Sequence, residues 1–289
     1  MDMIKQNDII CFVHIEKTGG TTLQHIFRRM FYLRHLTVRP YFKPENYEHI
    51  PYSGTFSAKD LQLVLRLNPF IKVISGHALK PYADLELSGK RIKYVTILRN
   101  PVSRYLSHYE HSKRVVKMKW TFDEYMNIEE HNNFQTRKIA GKEDLNLAKS
   151  LLSKKFFAVG VIEQFDSLLA FLSFKLKLGK SIWKYEVKNI GKNKDLVAEL
   201  HSKYLKKIVS KNELDMQLYN YVAKTIHTNN TEKLNEYFLH QNTTERTGNL
   251  SMIDKLKIKS DFYFESFYFE LITNRIRRIN GLKPKGCYL

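Results

Sequence analysis

"CFVHIEKTGGTTLQHIF", residues 11–27, places a lysine against a glycine pair and two threonines, between an apolar stretch and a helical stripe. The run leading into it, "DIICFVHI" (8–15), is short, carries β-branched residues and ends at a glycine turn, so it reads as a buried strand. Beyond the glycines, Leu23, Ile26, Phe27, Met30 and Phe31 recur at helical spacing and predict a helix over 20–31. A strand, a glycine turn and a helix start together make an anion site. The first helical N–H groups have no acceptor within the helix, and the helix dipole adds positive potential there. Gly19 and Gly20 let the backbone approach a ligand, Lys17 brings a point charge, and Thr21 and Thr22 bring hydroxyls and cap chemistry. The lysine precedes the glycines, the reverse of the G-x-x-x-x-G-K-[ST] loop of ATP-binding proteins.

Working outward, the strand-then-helix pattern returns. "IKVISGH" (71–77) and "IKYVTILRN" (92–100) read as strands, and the second feeds a helix with Pro101 in its first turn and Val102, Tyr105, Leu106 and Tyr109 on one face. "FFAVGVIEQF" (156–165) gives a fourth strand, followed by a helix striped by Phe165, Leu168, Leu169 and Leu172. Alternation of this kind predicts an α/β fold, P-loop-like and three-layered (αβα), with a central, mostly parallel sheet. Residues 179–194 lack periodicity and read as a long basic loop. The remainder reads as a helical C-terminal part, with helices over 195–210 and 213–226 and an aromatic-rich one around 262–278. No convincing linker interrupts the 289 residues, so a single domain over 1–289 is expected.

The composition narrows the classes. With 43% hydrophobic and 13% aromatic residues the chain can fill a core, which excludes wholesale disorder. No apolar run approaches the ~18 residues of a membrane span, and the first residues do not resemble a signal peptide. Cys11 and Cys287 offer no disulfide framework, and a cytoplasmic location is expected. The formal charge of +19, from 48 Lys and Arg against 29 Asp and Glu, favours an acidic partner. The basic residues are spread along the chain without the dense arm of a typical nucleic-acid binder.

A second dense stretch is "VTILRNPVSRYLSHYEH" (95–111). Arg99 leaves a strand end and Ser107 lies two turns into the next helix, so the two can converge on one phosphate; Ser103, Arg104 and His108 share that helix's polar side. "HIEKTGGTTL" followed by "LRNPVSRYLSHY" resembles the carbohydrate sulfotransferases that use 3′-phosphoadenosine 5′-phosphosulfate (PAPS), particularly the heparan sulfate 2-O/6-O group and its bacterial relatives. The resemblance implies that Lys17, Thr18, Gly19, Gly20, Thr21 and Thr22 hold the 5′-phosphosulfate, and that Arg99 and Ser107 grip the 3′-phosphate. It extends over roughly 8–226. "VISGHALKPY" implies that His77 is the general base, and "NNFQTRKIAG" places Gln135 and Arg137 in a family stretch. "KNIGKNK" (188–194) implies that Asn189 and Lys192 belong to a loop over the nucleotide. Glu16 stands where relatives often carry an uncharged residue; it adjoins the loop and is the second candidate base. Residues 227–289 match nothing in the family and form an extension that could serve the acceptor.

The implied reaction is in-line transfer of a sulfuryl group from PAPS to a carbohydrate hydroxyl (EC 2.8.2 type), releasing PAP. Positioning and electrostatics do most of such catalysis. No metal is needed for it, and the sequence offers neither a CxxC pair nor an HExxH helix. An acidic glycan would be drawn to the basic surface, which also leaves room for peripheral membrane association. Two rival readings are an ATP/Mg-dependent kinase, against which the lysine order argues, and a non-enzymatic nucleic-acid-binding protein using the +19 charge. The acceptor and the oligomeric state are not legible.

Overall fold

The computed structural model describes residues 5, 7–38, 56–83, 85, 89–178, 180–188, 191, 193–226, 250–267, 274–279 and 281. Five parallel strands form one sheet in the order β2-β3-β1-β4-β5: β1 (Asp8–Val13), β2 (His35–Thr37), β3 (Val73–Gly76), β4 (Arg91–Leu98) and β5 (Phe156–Val161). Four are the expected strands. The short β2 was not foreseen, since three residues carry no readable period.

Strand β1 is buried along its whole length, and its side chains divide by parity. Ile9, Cys11 and Val13 enter the core on one face, which α2 (Ala58–Leu67), α6 (Leu145–Lys154) and α9 (Glu213–Tyr221) help cover. Ile10 and Phe12 enter the core on the other face, under α1 (Gly20–Met30) and α7 (Phe165–Leu176). This two-sided burial is why the strand reads as a continuous apolar run rather than an alternating one. At the outer edge of β1, Asp8 is buried and receives two hydrogen bonds from Arg91, at 2.7 and 2.9 Å.

A third apolar cluster joins α3 (Pro101–His111), α4 (Phe122–Met126) and α8 (Lys194–Lys211) through Tyr105, Tyr109, Phe122, Tyr125 and Ile208. Between α4 and α6 lies α5 (Phe134–Ala140). Past 249 the described helices are α10 (Met252–Phe267) and α11 (Asn274–Ile279), so the helix expected around 262–278 starts ten residues earlier. Helix α10 packs on α1 and β2, beside the glycine turn.

The chain order fixes where a ligand can sit. From β1 it runs out to β2 and back through β3, then crosses to β4 and β5 on the opposite side. The carboxyl ends of β3, β1 and β4 therefore flank a topological switch point, where open α/β sheets hold ligands. Val13 is in register with Gly76 on one side and Thr96 on the other, which aligns the three loops that leave these ends.

Candidate active site

The loop from β1 to α1 is wound tightly. Lys17 has φ 66° and Gly19 has φ 80°, both left-handed; the lysine has no glycine's freedom there, and strain of this kind costs about 1 kcal/mol or more. The Thr18 hydroxyl is buried and donates to the Ile15 carbonyl at 2.9 Å, so it shapes the loop rather than facing the cleft. Helix α1 begins after Gly19 with no side-chain cap and no acidic residue in its first turn. Thr21 and Thr22, expected to bring cap chemistry, stand inside the helix, and the N-cap position is Gly19. Thr22 Oγ1 instead accepts from the Lys188 N–H at 3.1 Å, drawing the 184–188 segment over the helix start. An uncapped N-terminus with a lysine beside it is a site for an anion.

Arg99 emerges from β4 beside this loop. Its guanidinium Nη1 donates to the Lys17 carbonyl at 3.1 Å, so the two cationic residues face one cleft. The Arg99 backbone is bracketed by the Gln135 amide, which donates to its carbonyl at 2.9 Å and accepts from its N–H at 3.0 Å. Thr136 and the Gln135 N–H bond buried Asp215 of α9. The Gln-Thr pair thus sets Arg99 in place, while Arg137 turns outward to Glu143 at 3.0 Å. Asn100 caps α3 by accepting from the Ser103 N–H, and Ser103, Ser107 and His108 line the cleft from that helix. Arg104, expected beside them, is fully buried; it donates to the His131 carbonyl and stacks on the Phe134 ring 4.6 Å away.

His77 follows β3. Gly76 precedes it with φ 146°, and a Cβ there would lie 1.7 Å from the Val38 carbonyl oxygen, so only glycine brings His77 this close to β1. The imidazole Nδ1 lies 2.8 Å from the His14 carbonyl. A carbonyl can only accept, so Nδ1 carries the proton and Nε2 the lone pair of the neutral ring. Glu16 lies next to the same Nδ1, its Oε1 at 3.3 Å.

Together these groups line a cleft of about 1610 Å³, more than one nucleotide fills. Burial pulls the Lys17 ammonium below its ordinary value, helped by Arg99 and Arg114 and opposed by Glu110. Burial, with Lys17 and Arg114 nearby, likewise pulls His111 down to about 4. Asn189 and Lys192 lie outside the described residues. Trp183, within the 179–194 stretch, is buried in the core beneath α7.

The opposite wall is one the sequence did not disclose. Lys255, Lys259, Phe262 and Tyr263 of α10 line the cleft. Helix α10 is held there by a buried polar network. Glu265 accepts from Arg28 of α1 at 2.6 Å and lies 2.7 Å from His35 Nδ1 of β2; Asp261 accepts from the Leu33 N–H at 2.8 Å. His35, Asp261 and Glu265 lie close enough to resemble a metal cluster, but the Arg28 cation already occupies that space. Burial and the neighbouring Glu265 push the Asp261 carboxyl up to about 7. An Asp and a Glu four residues apart in an aromatic-rich, basic segment was the available signal for this network.

Comparison with known proteins agrees with this geometry. Residues 3–222 match the model of the Sulfotransferase family. The chain is 24% identical to heparan-sulfate 6-O-sulfotransferase 1 of Gallus gallus, over 75% of this chain and 66% of that protein; the Homo sapiens protein of that name gives 24%, 75% and 65%. It thus spans just under two thirds of those relatives' length. Among solved structures, a sulfotransferase from Alicyclobacillus acidocaldarius matches with 18% identity and TM-score 0.36, covering 74% of this chain and 96% of that one. Mouse sulfotransferase SULT7A1 complexed with PAP matches with 13% identity and TM-score 0.38, covering 89% and 90%. With three quarters of its length matched to the family model, the chain belongs to the sulfotransferase family.

Proposed function

We propose that the protein transfers a sulfuryl group from PAPS to a hydroxyl of a carbohydrate acceptor. The observation that carries this reading is convergence: an uncapped α1 N-terminus with Lys17, the Arg99 guanidinium and the lone-pair nitrogen of His77 all belong to one cleft. A donor with a 5′-phosphosulfate and a 3′-phosphate needs two neighbouring cationic sites. The loop 17–22 supplies one, and Arg99 with Ser107 the other. The first turn of α1 and the first turn of α3 carry no acidic residue.

His77 Nε2 takes the proton from the acceptor hydroxyl as its oxygen bonds to sulfur. The bond from sulfur to the bridging oxygen breaks, and its electron pair stays on the departing phosphate. Lys17 and the first N–H groups of α1 stabilise that charge; one such contact is typically worth about 3 kcal/mol.

The relatives named for heparan sulfate support a carbohydrate acceptor. Lys255 and Lys259, exposed on the α10 wall, favour an acidic one, and the exposed Tyr263 ring offers a face to a sugar. Thermal shift with PAP, and with ADP plus Mg²⁺, tests the donor; transfer of labelled sulfate from PAPS to acidic and neutral glycans tests the acceptor. The expected result is stabilisation by PAP alone and label in an acidic glycan. Equal stabilisation by 5′-AMP and PAP would remove the 3′-phosphate clamp from the reading.

A further inference from the structure

Glu16 is a carboxylate beside a loop built for a polyanion, and its surroundings account for it. Its Oε1 lies 3.3 Å from His77 Nδ1 and 3.4 Å from the ammonium of Lys138 on α5. Its Oε2 is buried without a hydrogen-bond partner. Lys138, itself buried, donates to the His77 carbonyl at 2.6 Å. One oxygen of Glu16 is thus engaged by His77 and Lys138, and the other is buried.

We propose that Glu16 and Lys138 form a positioning pair for His77. Glu16 and the His14 carbonyl hold the proton on Nδ1, and Lys138 balances the carboxylate so that it does not repel the donor. The proposal rests on the sulfotransferase reading and deepens it. When Nε2 takes the acceptor's proton, the imidazolium forms 3.3 Å from a carboxylate already in place, so no group has to move to stabilise it. Lys138 touches both the carboxylate and the backbone that carries the ring, which fixes the imidazole from two directions. The charged and titratable groups facing His77 come from four elements. They are His14 after β1, Glu16 on the loop, His111 on α3 and Lys138 on α5.

The test is nitrogen NMR of histidine-labelled protein with PAP bound, with H77A identifying the resonances. In the wild type, His77 is expected as the Nδ1–H tautomer. In E16Q its titration midpoint is expected to move to lower pH, because a neutral amide no longer favours the imidazolium. Turnover with PAPS and heparan sulfate is expected to fall about a hundredfold in E16Q, less than in H77A, while PAP binds at least as tightly as to the wild type. K138M is expected to weaken PAP about tenfold by leaving Glu16 unbalanced, and E16Q/K138M to restore it. Melting curves of each variant confirm that it is folded, and E16D serves where E16Q is not. A wild-type Nε2–H tautomer, an unmoved midpoint in E16Q, or failure of the double variant to regain PAP overturns the pair. Absence of PAP binding in the wild type would instead sink the sulfotransferase reading itself.

Discussion

The two walls of the cleft are built on different principles. The wall proposed to hold the donor (the donor wall) comes from strand ends and the loops that leave them. Its polar groups are set by backbone geometry: Lys17 in a left-handed turn, Arg99 bracketed by Gln135, His77 after a glycine pressed against Val38. The opposite wall, proposed to face the acceptor (the acceptor wall), includes α10, which belongs to no strand–helix unit and is held by a buried network of Arg28, His35, Asp261 and Glu265. One wall is fixed by covalent order and the other by a few charges. The donor wall should therefore withstand side-chain changes that displace the acceptor wall.

The largest effect is expected where that contrast is sharpest. Glu265→Ala removes the carboxylate that Arg28, His35 and Thr37 share and leaves the guanidinium buried without it. Breaking a buried pair in this way costs about 3 kcal/mol or more. Denaturant unfolding should read that loss. At temperatures where the variant is folded, the acceptor KM should rise several-fold while the PAP dissociation constant stays within twofold of wild type. A PAP affinity that falls in parallel would mean the two walls are one unit.

Arg99→Ala breaks the other wall, with a somewhat smaller effect. The guanidinium would make charge-assisted contacts to the 3′-phosphate, so its loss should weaken PAP by about 30- to 100-fold, roughly 2–3 kcal/mol. Affinity for 5′-AMP, which lacks that phosphate, should change little, and the unfolding midpoint should move less than in Glu265→Ala. Calorimetric titration with both nucleotides reads the difference.

The same contrast explains what was legible in the sequence. The donor wall is local: strand, turn and helix are contiguous at 8–31 and again at 92–111, so periodicity and glycine placement disclose them. The sheet was legible too, apart from β2, whose three residues are stabilised by pairing with β3 rather than by a pattern of their own. Roles that depend on distant partners were not legible. Arg104 lies on a polar-looking helix face, but α5 and the His131 loop close over it. Lys138 follows the more conspicuous Gln135 and Arg137 in sequence, and only the fold brings it to Glu16 and His77. The α10 network joins positions more than two hundred residues apart, and no local signal links Arg28 to Glu265.

The smallest expected effect concerns acid. Burial lowers five of the described histidines: His25, His111 and His131 to about 4, with His35 and His108 also held below the ordinary value. An unfolded chain would protonate each of them near 6.5, so between about pH 6.5 and 4 the unfolded state binds more protons than the folded one. Stability therefore falls as the pH drops through that window. Asp261, pushed up to about 7, works in the opposite sense: the folded state keeps a proton that the unfolded carboxyl gives up, which adds stability toward acid. Asp215, also raised by burial, acts in the same sense as Asp261, and five histidines against these two carboxyls leave a net loss, expected as a fall of roughly 5 °C in melting temperature between pH 6.5 and 5. Bound PAP should steepen the contrast in a way that can be read directly. It adds stability by mass action at both pH values, and by more at the lower one if His108 or His111 gains a proton against the phosphates. Equal PAP stabilisation at pH 7 and pH 5.5 would show that these histidines stay neutral behind the donor wall and leave the anion to Lys17 and Arg99.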